Sequence, residues 1–183
     1  MGVRKIRRIA LGVLLTLVLT THGLASIRGM EWGMSKAEVK QLEGKPEKEA
    51  PDRLLYEDRV GGLETEVIYL FNHREELYSI EYHFLMERSY LMVGLEHFDR
   101  ISKILHELYG PPDGGEVYSD RDKRIGILAA KKPISEEWKK DEETYILHSL
   151  KEESVYEHTL IYGHRALTDE YEEFRKQKER EKF

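Results

Sequence analysis

The chain has eight histidines; His22 lies in the N-terminal leader, and the other seven run from His73 to His164. A metal centre needs several nitrogen, sulfur or oxygen donors brought to one point, and its dependable sequence forms are His-Glu-x-x-His or paired cysteines. Neither occurs, since the chain contains no cysteine. One grouping remains. If Thr144 to Leu150 pairs as a strand with Val155 to Tyr162, His148 and His158 fall on neighbouring strands with His164 near the end of the second. Imidazoles so placed suit zinc or copper, and they read equally as ordinary histidines of a sheet.

Nucleophilic catalysis would need a Ser, Thr or Cys beside an oriented base, commonly on a Gly-x-Ser-x-Gly turn, and that turn is absent from the sequence. Acidic pairs such as Asp120 with Asp122 and Glu142 with Glu143 have the right type for acid and base roles, but in so acidic a chain they read as solvated loop charges. Gly61-Gly62 and Gly114-Gly115 lack the flanking pattern and Lys of a phosphate loop and read as hairpin turns. No cofactor motif emerges. The most distinctive side chains are the tyrosines, 11 in all. A tyrosine offers a large apolar body with a polar tip, which suits both sheet packing and protein contacts. Tyr69, Tyr78, Tyr82, Tyr145 and Tyr156 are therefore the candidate contact residues.

These groups must be positioned outside the cytoplasm. Arg4, Lys5, Arg7 and Arg8 precede an apolar run from Ile9 to Leu19, and Gly23 and Ala25 form a small-x-small cleavage site. This is the layout of a secretory signal peptide over residues 1–25. The run falls short of the ~20 apolar residues that span a bilayer, and no second such stretch follows. Without cysteine there is neither a lipoprotein attachment point nor a disulfide frame. Removing the leader leaves 25 basic and 35 acidic residues, a net charge of −10. A surface of that sign argues against nucleic acid and anionic lipid as partners.

The 183 residues suffice for one domain with a real core. Ser35 followed by Glu38 is a capping box opening a short helix that stops at Gly44 and Pro46. Leu54 to Tyr56, Glu64 to Phe71 and Leu77 to Phe84 read as three antiparallel strands, the last with Tyr78, Ile80, Tyr82 and Phe84 on one face. His97 to Tyr109 carries Phe98, Ile101, Ile104, Leu105 and Leu108 at helical spacing and stops at Gly110 and Pro111. Strands are then expected at Val117-Tyr118, Ile125 to Ala130, Thr144 to Leu150 and Val155 to Tyr162. Val39 to Pro46 aligns without a gap on Leu105 to Pro112, which raises an internal duplication beside the plainer reading that helices often end in Gly then Pro. Thr168 is the expected cap of a charged C-terminal helix, acidic early and basic late, whose apolar face is limited to Leu167, Tyr171 and Phe174.

The run Trp32-Gly33-Met34-Ser35-Lys36-Ala37-Glu38-Val39, followed by Gly44-Lys45-Pro46, resembles the Gly-Met-(Ser/Thr)…Val…Gly-x-Pro signature of small exported bacterial domains. These are the BamE-type outer-membrane assembly lipoproteins and the β-lactamase-inhibitor-protein-like fold. The resemblance implies helices on a small antiparallel sheet and a role in binding other proteins. A BamE-type protein carries a lipidated cysteine, which this chain lacks, and tandem units as in the inhibitor-like fold fit the whole length better.

The expected fold is α+β, with residues 26–164 built of two related helix-plus-sheet halves (about 30–85 and 95–164) and 165–183 a C-terminal helix or tail. The expected function is non-catalytic binding of another envelope protein, in the periplasm or outside the cell. The alternative is a metal-binding protein or enzyme built on His148, His158 and His164.

Overall fold

The computed structural model describes residues 28–86, 90–116, 120–152 and 156–182. The signal peptide assigned to residues 1–25 and the strand assigned to Val117-Tyr118 lie outside the described residues. The fold is α+β, with four helices and one seven-stranded antiparallel sheet among the described residues. In chain order the elements are α1 (Lys36–Glu43), β1 (Lys48–Ala50), β2 (Arg53–Val60), β3 (Leu63–Phe71) and β4 (Leu77–Phe84), then α2 (Leu91–Tyr109), α3 (Arg121–Ala129), β5 (Ile134–Lys139), β6 (Thr144–Glu152), β7 (Tyr156–His164) and α4 (Arg165–Arg180). No described helix is long and apolar enough to cross a membrane.

The sheet order is β1-β2-β3-β4-β7-β6-β5. Its centre is the pairing of β4 with β7, where Ile80 stands opposite Tyr162 and Tyr82 opposite Leu160. From that line outward each half is an antiparallel meander after a helix: β2-β3-β4, with β1 added at its edge, follows α1, and β5-β6-β7 follows α2, with α3 between. Helices α1 and α2 each end on a glycine at positive φ, Gly44 at 89° and Gly110 at 79°, a conformation costly for residues with a Cβ. The Gly44 carbonyl accepts a hydrogen bond from Tyr56 of β2, at 3.1 Å, and the Gly110 carbonyl one from the Trp138 indole of β5, at 3.0 Å.

One face of the sheet is sealed. Leu54, Tyr56, Val67, Tyr69, Ile80, Tyr82, Trp138, Ile146, Leu160 and Tyr162 form the main core with Val39 of α1 and Ile101 and Leu105 of α2. A second cluster joins Leu95 and Phe98 of α2 to Leu128 of α3, Ile134 and Leu150. The segment before α1 is fastened across both halves, with Trp32 Nε1 donating to Thr144 Oγ1 at 3.0 Å. Arg28 forms a two-pronged bond to Glu43 (2.9 and 3.0 Å) and a third bond to Asp58.

Several expectations need correction. Ile125 to Ala130 is not a strand but most of α3, which opens on Asp120, whose side chain accepts from the amides of Asp122 and Lys123. A short apolar run has no period of its own, and here the N-cap decided it. Two strands were overlooked: the three-residue β1, and β5, whose buried Ile134, Glu136 and Trp138 alternate with more exposed neighbours. Helix α2 begins at Leu91, ahead of His97. Gly94 lies against Leu150 so closely that an added Cβ would stand 3.4 Å from it, so packing rather than a cap holds the first turns. Helix α4 is capped by His164, not Thr168, because β7 runs into it without a loop. A register shift at Leu70/Phe71 sets Phe71 opposite Leu77 and Leu70 opposite Ser79, which moves Tyr78 off the core face. Gly114-Gly115 is not a hairpin turn either; Gly114 bridges to Glu137 along the outer edge of β5.

Candidate functional site

Behind α2, three strands place a carboxylate and two imidazoles in line. Glu136 of β5 stands opposite His148 of β6, and His158 of β7 lies two residues from the partner of His148. All three are buried, at 3%, 0% and 1% exposure. His148 Nδ1 lies 3.1 Å from Glu136 Oε2, and its Nε2 lies 2.8 Å from His158 Nε2. Phe98 stacks on His148 at 4.1 Å and Phe84 on His158 at 4.2 Å, so aromatic rings close both sides. The other Glu136 oxygen accepts from Ser102 Oγ at 2.8 Å and meets His106 Nε2 at 2.9 Å, both from α2.

The charge state follows from this geometry. Burial pushes the Glu136 carboxyl up, but hydrogen bonds from His148, Ser102 and His106 outweigh it and hold the group below its usual range. Burial lowers His148, with Glu136 opposing, and His158 is driven well below the ordinary histidine value by burial and by its neighbours His148 and His97. An anionic Glu136 therefore accepts from His148 Nδ1–H. His148 Nε2 accepts from His158 Nε2–H, and His158 Nδ1 is left as a bare lone pair. That nitrogen is buried and has no hydrogen-bond partner among the described residues.

The chain of groups does not make a hydrolase triad. In a triad the imidazole uses one nitrogen for the carboxylate and the other for the nucleophile. Here His106 Nε2 faces both Glu136 and, at 3.5 Å, Ser102, while the Ser102 hydroxyl is spent on Glu136. Nor does it gather the three histidines named from sequence. His164 stands six residues beyond His158 on β7, roughly 20 Å along the strand. There its Nδ1 accepts from the Leu167 amide at 3.2 Å and its Nε2 meets Glu143 at 3.1 Å. The trio is thus split, because strand register sets His148 near His158 and uses His164 as a helix cap. Among the described residues no group of three or more His, Asp or Glu is placed to hold a metal ion.

The tyrosines divide as well. Tyr69 and Tyr82 are core residues, at 0% and 5% exposure. Tyr69 sits edge-on to Tyr56 and donates to Glu43 at 2.7 Å; burial and Glu43 together push its phenol far up. Tyr82 packs edge-on to Tyr162, and burial pushes it up to about 12. Tyr156 is half-buried against the second cluster and donates to Glu152. Only Tyr78 and Tyr145 belong to the opposite face of the sheet. The reason is the two-residue strand period together with the register shift: odd positions of β3 and, from Ile80 onward, even positions of β4 share the sealed face, and the shift at Leu70/Phe71 removes Tyr78 from it.

That opposite face is only partly covered. Helix α4 crosses it, Tyr171 against Tyr78 at 5.1 Å and Phe174 stacked on His73 at 4.1 Å, while Glu170 bonds Arg74. No residue of α4 is buried. On one side of it lies a groove of about 540 Å³ with Ile68, Leu70 and Ile161 in its lining and Arg53, Glu81 and Arg175 among its charges. On the other lies a groove of about 500 Å³ lined by Leu147, Lys139, Arg165 and Asp169. Tyr145 and Thr168 line both. The free edges are guarded: β1 has three residues, and the β5 edge is taken by residues 113–116, with Glu137 N–H donating to Gly114 O at 3.0 Å and Lys139 N–H to Asp113 at 2.7 Å.

Glu136, Ser102, Phe98 and Phe84 were not singled out from sequence. The signal that could have found Glu136 is its place midway between Ile134 and Trp138 at a spacing of two, which puts a carboxylate on an apolar strand face. Comparison of the chain with protein-family models, with curated proteins and with solved structures returned no match.

Proposed function

We propose that the chain is an exported, non-catalytic module of the cell envelope that binds another protein through the α4 face of its sheet. The observation that carries this reading is the unequal finish of the two faces. One is sealed by helices, whereas the other leaves Leu55, Ile68, Leu70, Leu147 and Ile161 half-exposed beside a helix that buries none of its own residues. Half-exposed aliphatic and tyrosine side chains ringed by both signs of charge suit a protein segment that places an apolar side chain between polar neighbours. The two halves of the sheet are taken as repeats of one unit, in keeping with the tandem architecture that the Trp32 to Pro46 motif resembles. The Tyr78 and Tyr145 part of the sequence-based contact set is kept; Tyr69, Tyr82 and Tyr156 are not.

The test is site-specific photocrosslinking in cells producing the full chain, with the crosslinker placed at Ile68, at Leu147 or, as a control, at the exposed Glu107 of α2. Adducts to one partner from positions 68 and 147 and none from 107 are expected. Adducts absent from both sheet positions, or equally strong from 107, would remove the basis for this face as the contact surface.

A further inference from the structure

We propose that the Glu136–His148–His158 chain is an acid-sensitive latch, closed at neutral pH and opened by further protonation, that releases α3 and the first half of α2 from β5–β7. The geometry limits how many protons the latch can hold. Four ring nitrogens are present: His148 Nδ1–H donates to the Glu136 carboxylate, and the two Nε2 atoms, 2.8 Å apart, have room for one proton between them. A third proton has only His158 Nδ1, which is buried and has no acceptor. An unpaired buried donor on a charged ring is among the costliest arrangements a core can contain.

The groups facing the pair are accounted for. From α2 come His97, Asp99 and His106, with Asp99 bonded to Arg124 of α3; from β5 comes Glu136. His97 is itself lowered by burial and by Arg100, and its own buried Nδ1 has no partner. It therefore offers no relief to a protonated His158. Among the described residues Glu136 is the one carboxylate in hydrogen-bond contact with the pair, and it touches the far nitrogen of His148. Ser102 and His106 bond that same carboxylate, so the latch ties α2 directly to the sheet. Phe98, in contact with both imidazoles, carries any ring movement into the second cluster of Leu95, Leu128, Ile134 and Leu150.

The direction of the pH effect follows from linkage. Both histidines are held below their unfolded value, so the open form binds more protons than the closed form once pH falls below about 6.5. Stability from the latch is complete above that pH and is lost below it, about tenfold per pH unit for each histidine that stays neutral when closed. From pH 7 to pH 5 the closed-to-open ratio drops by about 600-fold for two such histidines. Glu136 adds nothing in this window, because a carboxyl lowered in the fold loses its contribution only below its unfolded value of about 4.3.

The experiment is amide exchange by mass spectrometry on the full chain at pH 7 and pH 5, corrected for the intrinsic rate. Residues 91–105 and 121–150 should lose protection at pH 5 well ahead of 53–82. Equal loss in both regions, or none, would overturn the latch. Ring nitrogen spectra of the unmodified protein give a second readout: both histidines should stay neutral until the protection of α2 is lost. Full protonation of both with α2 still protected would refute the proposal even if His158→Phe, the variant expected to flatten the pH response, failed to fold.

Discussion

Replacing Gly163 by alanine isolates one contact on the α4 face. Gly163 stands opposite Tyr145 in the β6–β7 pairing, and a Cβ built on it would lie 2.2 to 2.4 Å from Cζ, Oη and Cε1 of the Tyr145 ring. Ordinary contact begins near 3.4 Å, so the ring must retreat by about 1.2 Å from the surface shared by the two grooves. The backbone does not require glycine here, since Gly163 is absent from the positive-φ residues. In an open strand the substitution would stabilise by about 0.4–1 kcal/mol through the unfolded chain. Overpacking against the ring costs about 1–3 kcal/mol, so Gly163→Ala should destabilise by about 1–2 kcal/mol net, or about 2–8 °C in Tm for a chain of this size. Urea unfolding at pH 7.5 measures it, with an unchanged slope required for a clean comparison. The decisive step is a double-mutant cycle with Tyr145→Ala. Once the ring is gone, Gly163→Ala should become neutral or mildly stabilising, giving a coupling of about 1–3 kcal/mol. If alanine is harmless with Tyr145 present, or equally harmful without it, the steric argument is wrong.

Three further outcomes are expected from the same unfolding assay. Ser35→Ala removes the side-chain arm of a capping box, in which Ser35 Oγ accepts from the Glu38 amide at 3.4 Å, and leaves the return bond from Ser35 N–H to Glu38 at 2.8 Å; it should cost about 1 kcal/mol, whereas Ser35→Asp should cost much less. Arg28→Ala strips a half-buried guanidinium from Glu43, whose side chain is 15% exposed, and should cost about 1.5–3 kcal/mol; Arg28→Lys should recover only part, because a single ammonium cannot repeat the two-pronged bond. Trp138→Phe keeps most of the buried area but leaves the Gly110 carbonyl without its indole donor, for about 1 kcal/mol, and Tyr56→Phe at the matching carbonyl of Gly44 should give a similar loss. A large difference between these last two would argue against treating the halves as equivalent.

Much of the architecture is written in local chemistry. The Ser35 and Glu38 box, the glycine stops at Gly44 and Gly110, and the alternation of β3 and β4 each act over a few residues, so sequence order alone carries the information. The acid-then-base order of α4 and its narrow apolar face, Tyr171 and Phe174 among it, likewise announced a helix docked by its first turns. What failed were a segment without a period of its own and a strand whose state depends on distant partners. Ile125 to Ala130 has no period and became helix through Asp120. The strand at Ile134 to Lys139 was hidden because its middle inward residue is a glutamate, which is acceptable in the core only with Ser102, His106 and His148 around it.

For the candidate site the same division holds. Sequence alone placed His148 and His158 on adjacent strands and separated the tyrosines from any catalytic motif, because strand period and motif spacing are local. It could not tell which tyrosines would be covered: Tyr69 and Tyr145 have similar neighbours in sequence, yet one is sealed under helices and the other lies between two grooves. Nor could it show that His164 would become a helix cap, or that His158 Nδ1 would be left without a partner. Those outcomes are fixed by register across the β4–β7 pairing and by which helix lands on which face, and both are decided by contacts between residues far apart in the chain.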